Sequence, residues 1–270
     1  MTSTHYAPEK AAELTPEGDR YFDGMADKFA RSLYSAPRGA LRLALLETLM
    51  PEMLPLDGQP ALDVGGGLGQ QAAWLARRGH AVTLAEPSAD MLAYARRAFA
   101  DAPFAERIDY LQAPLQALEA RAPGPWPLMV CHAVLEWLGN PGAALAVLGR
   151  LLAPGGRLSL MVFNRDALRF ANVIKGNRQK ALDDRLEGWG RGKRLTPVSP
   201  LTHADVERFA AAAGLEIEAT AGIRIFQDYL RDPVADDADR ATLWALERAY
   251  CRVEPHWRLG RYLLYTLRKP

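Results

Sequence analysis

The sequence predicts an α/β fold: a mostly parallel seven-stranded sheet, helices on both faces, and an antiparallel strand late in the chain. Three observations predict it. Strand-like and helix-like runs alternate from residue 59 to residue 163, a glycine cluster follows the first of those strands, and a single helix joins the last two strand-like runs.

Each element has its own signal. Residues 38–50 (RGALRLALLETLM) carry apolar residues at helical spacing and are expected to end before Pro51. Residues 59–64 (QPALDV) rise into Gly65-Gly66-Gly67, a short strand closed by a glycine turn. A helix at about 68–78, a strand at 81–86 (AVTLAE) and a helix at 89–100 follow, the last with Ser88 as N-cap. Further strands fall at 108–111 (IDYL), 127–132 (PLMVCH) and 157–163 (RLSLMVF), with a helix over 142–152 that ends at Pro154-Gly155-Gly156. Residues 164–200 hold no clear strand and mix Arg, Lys and Gly. They read as an insertion over the carboxyl edge of the sheet, where such folds bind ligands. Regularity returns with helix 202–213, strand 215–226, a helix near 236–251 and strand 258–268. Residues 1–20 read as a flexible leader and 21–270 as one domain.

Composition narrows the function classes. The 33 basic and 32 acidic residues exclude a uniformly basic DNA-coating protein and an acidic disordered tail. Hydrophobic residues at 49% suffice for a large core. Cys131 and Cys251 have neither metal-ligand spacing nor a disulfide framework, which points to a reducing, cytoplasmic setting without a metal site. No apolar run approaches the roughly 18 residues of a membrane span.

The most informative run is Leu62-Asp63-Val64-Gly65-Gly66-Gly67-Leu68-Gly69. Gly65, Gly67 and Gly69 let a flat ligand approach the backbone. Glu86, closing the second strand, can accept hydrogen bonds from both hydroxyls of a ribose. A dinucleotide site would place its third glycine at position 70, which is Gln70, and Asp63 beside the turn repels phosphate but suits an ammonium. A ligand with a nucleoside end and an amino-acid end fits, and S-adenosylmethionine has both. Gln116, after the third strand, and His132, at the end of the fourth, fall at the same edge.

These residues resemble the class I S-adenosylmethionine-dependent methyltransferases, a Rossmann-like family. LDVGGGLGQ, HAVLEW, LAPGGRLSLMVFN, GIRIFQDYLR, the Phe22-to-Tyr34 stretch and Leu259-Gly260-Arg261-Tyr262 are similar to the tRNA 5-carboxymethoxyuridine methyltransferases in particular. The resemblance implies methylation of the carboxylate of 5-carboxymethoxyuridine at the wobble position of the tRNA anticodon stem-loop, with neither DNA nor membrane as partner. It also implies that Arg42 contacts the cofactor's carboxylate and that Gly65, Gly66, Glu86, Leu115 and His132 complete its shell. The chain departs from the family at Glu86, where Asp is frequent, and at 190–194, where a lysine run is thinned to GRGKR.

A carboxylate is ionised at pH 7 and needs no general base, so catalysis is expected to rest on proximity and in-line alignment. Candidates to hold the substrate carboxylate are Arg31, Tyr34, Arg224 and Tyr229. For RNA, residues 165–194 sum to +5 and residues 248–270 to +5, leaving −9 elsewhere. Arg191, Lys193 and Arg194 are the expected phosphate contacts, with Trp189 as a stacking group and Trp137 as core. A small-molecule carboxyl or amine methyltransferase, and an RNA-binding protein with a vestigial cofactor fold, remain as alternative readings.

Overall fold

The computed structural model describes residues 14–31, 37–187, 196–232 and 234–270. Seven strands form one sheet: β1 Ala61–Val64, β2 Val82–Glu86, β3 Ile108–Gln112, β4 Trp126–His132, β5 Leu152–Phe163, β6 Glu216–Ile223 and β7 Tyr262–Arg268. Their order is β3-β2-β1-β4-β5-β7-β6. Strands β1 to β5 pair in parallel, and β7 runs antiparallel to both β5 and β6. The late apolar run YLLYTLR is therefore interior to the sheet, and the more polar β6 forms the edge.

The described helices are α1 Ala26–Phe29, α2 Pro37–Met53, α3 Gln70–Ala76, α4 Ala89–Phe99, α5 Leu118–Arg121, α6 Pro141–Leu151, α7 Arg165–Ile174, α8 Arg178–Leu182, α9 His203–Ala212 and α10 Asp237–Tyr250. Polar caps start several of them. The side chain of Ser88 accepts the Met91 N–H ahead of α4, Asn140 accepts the Ala143 N–H ahead of α6, and Thr202 forms a capping box with Asp205 ahead of α9. Side chains alternate across the strands. Leu62 and Val64 pack with α6 and α9 in one core layer, while Ala61, Leu84 and Val130 pack with α2, α3 and α4 in the other. Cys131 and Cys251 are buried and free.

The structure corrects four sequence expectations. Helix α2 runs through Pro51 to Met53 instead of ending before it, because Met50 and Met53 are buried with the same apolar face and Leu54 N–H still bonds the Met50 carbonyl. The expected strand 215–226 ends at Ile223, since Arg224 adopts a left-handed φ of 60°. The strand expected at 258–268 starts at Tyr262, after a short turn over His256–Leu259. The leader is packed from residue 14 onward: Leu14 bridges to Arg20, and Asp19 and Arg20 are buried. A side chain at Gly139 would collide with the Glu17 carbonyl there.

The insertion is helical where described. Asn164 caps α7 by accepting the Asp166 N–H, and its Nδ2 bonds the carbonyls of Arg258 and Gly260, both at 2.8 Å. This pins α7 to the carboxyl edge of the sheet, next to Phe163 and Tyr262, which pair across β5 and β7.

Candidate active site at the carboxyl edge of the sheet

After β1 the chain turns through Gly65 (φ 63°), Gly66 and Gly67 (φ 57°) into α3. A left-handed φ strongly favours glycine, which has no Cβ to strain. At Gly65 an added Cβ would also lie 2.6 Å from Val134 Cγ2. Asp63 Oδ2 accepts the Ala72 N–H at 3.0 Å, tying the strand end to the first turn of α3. Glu86 takes the Gly67 N–H on one oxygen and the Ser88 N–H on the other, both at 3.0 Å. It thereby links the glycine turn to the second strand and retains lone pairs for hydroxyl donors. Burial raises both carboxyls, Asp63 to about 7 and Glu86 to about 7.

A pocket opens over this edge. It is lined by Asp63, Gly65, Gly66, Gly67, Glu86, Leu115, His132 and Arg42, with Met161, Phe163 and Tyr262 from the late strands. Arg42, from α2, is buried, and its guanidinium lies 5.8 Å from the Tyr262 ring centroid. His132 Nε2 lies 2.8 Å from Ser159 Oγ, and burial pushes the imidazole down to about 3, with Arg42 adding to the shift. His132 is therefore neutral at pH 7.

The leader supplies a further wall that sequence reasoning missed. Arg20 N–H bonds the Trp137 carbonyl at 2.8 Å, and Asp19 accepts the Gly139 N–H at 2.9 Å and Gln116 Nε2 at 2.6 Å. Arg20, Tyr21, Phe22 and Phe29 all line the pocket. The Arg20 guanidinium sits 5.4 Å from the Phe22 ring and 5.5 Å from the Trp137 ring, so Trp137 is a pocket wall where a core position is expected. Glu136 was also missed. It is 1% exposed, lines the pocket, and is raised to about 8 by burial. The available signal was its place four residues after His132 in HAVLEW.

Among the described residues, five buried polar atoms on the pocket lining have no hydrogen-bond partner: Arg20 Nε, Gln70 Oε1, Gln71 Oε1, His132 Nδ1 and Glu136 Oε2. Buried donors and acceptors need partners. With Glu86 as a hydroxyl acceptor and Arg42 as a cation, this set fits a ligand that joins a nucleoside to a charged amino-acid end.

Other expected site residues lie elsewhere. Gly69 (φ 80°) faces Phe99 and caps α3, so it serves packing. Gln116 holds Asp19 and does not line the pocket. Asp63 is the exception: it lines the pocket, and its Oδ2 accepts the Ala72 N–H. Arg31 is exposed and off the pocket. Arg224 is locked to Asp228 at 2.7 Å and rests 5.6 Å from the face of Tyr262, behind the pocket wall. Tyr229 donates to the Leu259 carbonyl at 2.7 Å and is likewise outside the pocket. Tyr34, Trp189, Arg191, Lys193 and Arg194 fall outside the described residues. No group of three metal-ligating side chains occurs among the described residues, and no described helix is long and apolar enough to cross a membrane.

The two basic segments differ in kind. In the carboxyl-terminal one, Arg252 pairs with Glu52, Arg258 with Glu254, and Arg268 with Glu216 and Glu218. Lys269 Nζ bonds the Gly149 and Leu152 carbonyls at 2.9 and 2.8 Å. Most of that charge is engaged within the fold, unlike that of the insertion.

Comparison with known proteins places this architecture. A family described as "Methyltransferase domain" matches residues 62–160. A tRNA 5-carboxymethoxyuridine methyltransferase of Escherichia coli strain K12 is 37% identical over 93% of this chain and 97% of its own. A ubiquinone biosynthesis O-methyltransferase of Xylella fastidiosa is 29% identical over 63% of this chain and 66% of its own. Among solved structures, an S-adenosylmethionine-dependent methyltransferase from Mesorhizobium loti superposes with a TM-score of 0.56 at 20% identity, covering 84% of this chain and 99% of that one. A TehB-like methyltransferase from Corynebacterium glutamicum gives 0.51 at 18% identity, covering 91% and 98%. At these identities the structural likeness shows the fold.

Proposed function

This chain belongs to the family of tRNA 5-carboxymethoxyuridine methyltransferases, S-adenosylmethionine-dependent enzymes, and on that premise we propose that it esterifies the carboxylate of 5-carboxymethoxyuridine at the tRNA wobble position. The products are the methyl ester and S-adenosylhomocysteine. The observation that carries this reading is the identity of 37% over 93% of the chain, which extends well beyond the glycine turn common to all such folds.

The pocket fits the cofactor through residues on separate elements. Glu86 receives the ribose hydroxyls, Gly65 and Gly66 admit the ligand to the backbone, Leu115 covers an apolar face, and Arg42 meets the carboxylate end. His132 adds a neutral polar contact. S-adenosylmethionine bound there supplies an electrophilic methyl on a sulfonium.

The protein's task is then to hold an anionic oxygen in line with that methyl. A carboxylate of ordinary pKa is ionised at pH 7, so no proton has to be removed. Alignment and exclusion of water provide the rate. Arg20, buried between Phe22 and Trp137 with a free Nε, is the cation we assign to the substrate carboxylate. It takes the place expected of Arg31 or Arg224. Its desolvated guanidinium gains most from an anionic partner. A tRNA substrate supports a cytoplasmic setting.

The test is nucleoside mass spectrometry. Purified protein, S-adenosylmethionine and tRNA carrying 5-carboxymethoxyuridine should yield that nucleoside with the mass of one added methyl group. No gain on tRNA would overturn the reading, and esterification of a small carboxylic acid in its place would assign a small-molecule methyltransferase.

A further inference from the structure

We propose that Lys175, Arg178 and Lys180, at the end of α7 and on α8, form the surface that docks the phosphate backbone of the anticodon arm beside the pocket. This rests on the tRNA reading above and deepens it.

The charges within the insertion single these residues out. Its four described acids are all engaged by three arginines. Arg165 holds Asp184 at 2.9 Å and Glu187 at 2.6 Å, Arg169 holds Asp184 at 2.8 Å and also pairs with Asp166, and Arg185 holds Asp183 at 2.5 Å. Lys175, Arg178 and Lys180 are left exposed, with no carboxylate in ion-pair distance among the described residues. Positive charge that the fold does not neutralise is thus gathered on one short stretch. Phosphates are its complement.

Two further features fit the same partner. Phe170, Val173 and Ile174 are exposed at 47%, 44% and 44% on the helix that ends at Lys175. The Phe170 ring meets Tyr229 edge-on at 5.1 Å, which braces it while leaving it open. An apolar, aromatic ledge next to cations suits splayed bases of an RNA loop, whose π-faces stack while their phosphates are paired. Position is the other feature. Helix α7 starts two residues after Phe163 on the pocket wall, and its ten residues span about 15 Å. A few nucleotides of single strand bridge that distance from a base seated in the pocket.

The experiment compares two triple charge reversals in the full chain. K175E/R178E/K180E alters the proposed surface, and R96E/R97E/R107E alters exposed arginines on α4 and just before β3, at the opposite edge of the sheet. Binding of tRNA is followed by fluorescence anisotropy over a salt series, and S-adenosylmethionine affinity by calorimetry. We expect the first variant to bind tRNA at least about tenfold more weakly and to lose about two to three from its log–log salt slope, as for three phosphate contacts. The second should match wild type, and cofactor affinity should be unchanged in both. Equal tRNA binding by the first variant and wild type would overturn the surface and leave the esterification reading intact. So would equal weakening by both variants. Self-association that is lost in the first variant while tRNA binding persists would assign the face to a second copy of the chain and overturn the proposal. Wild-type protein that neither binds nor methylates tRNA would overturn both readings.

Discussion

Glu86 joins three parts of the site through one carboxylate: the glycine turn at Gly67, the start of α4 at Ser88, and the pocket that both border. Burial raises its pKa to about 7, and Asp63 to about 7 behind it. Ionised Glu86 offers only acceptors, whereas its protonated form turns one oxygen into a donor that competes with a ribose hydroxyl. Cofactor affinity should therefore fall as pH drops through 7, by up to about tenfold between pH 8 and pH 6 if only the ionised form binds. His132 has its shift in the other direction, to about 3, and stays neutral throughout that range. Isothermal calorimetry at several pH values checks this. E86Q should flatten the profile at lower affinity, and E86A should weaken binding at least about 100-fold through two lost hydrogen bonds to a charged acceptor. A steep profile retained in E86Q would assign the titration to the other raised carboxyls of the pocket, Asp63 or Glu136. The acid at the strand end was legible in the sequence because its role is local, one strand after the glycines. Arg20 was not legible, since its use depends on the leader folding back onto Trp137 and Gly139.

At the scale of elements, the segment after β6 shows how a buried charge shapes a site. Glu247 on α10 is fully buried and accepts the N–H groups of Ile225, Phe226 and Gln227 at 2.7, 3.0 and 2.9 Å. These three bonds hold the chain just after the left-handed Arg224, and so place the Arg224–Asp228 pair behind Tyr262. Glu247→Ala leaves those N–H groups without their acceptor, and we expect a loss of about 2–4 kcal/mol. That should lower Tm by several degrees in a thermal melt, with Glu247→Gln falling between. Sequence pattern located the strand and the helix that this bond connects. The bend at Arg224 escaped it, because a left-handed arginine has no local signal and is imposed from α10, some twenty residues further on. Helix α7 escaped for a different reason. Its buried residues Ala167, Leu168 and Ala171 do recur at helical spacing, yet the dense Arg and Lys around them read as loop.

Across the whole molecule, a balance of +1 conceals two positive segments with opposite fates. The described helices of the insertion carry Lys175, Arg178 and Lys180 with no carboxylate in ion-pair distance among the described residues, while the carboxyl-terminal segment is tied into β6, α2 and the end of α6 by ion pairs and carbonyl contacts. Summed charge is visible in a sequence, but pairing needs the fold: Arg252 finds Glu52 across 200 positions, and Arg268 finds Glu216 only because β6 lies beside β7. Electrostatic attraction to RNA scales with the phosphates neutralised, so cations already matched by carboxylates contribute little to the salt slope. Arg252→Ala and Arg258→Ala should accordingly leave tRNA affinity within about twofold of wild type near 0.1 M salt, with no change in slope. Each exposed pair is also worth only about 0–1 kcal/mol, so the melt should barely move. Filter binding over a salt series decides the point. A slope reduced by about one per substitution would mean that these arginines leave their carboxylates for phosphates, and would return the carboxyl-terminal segment to the RNA surface.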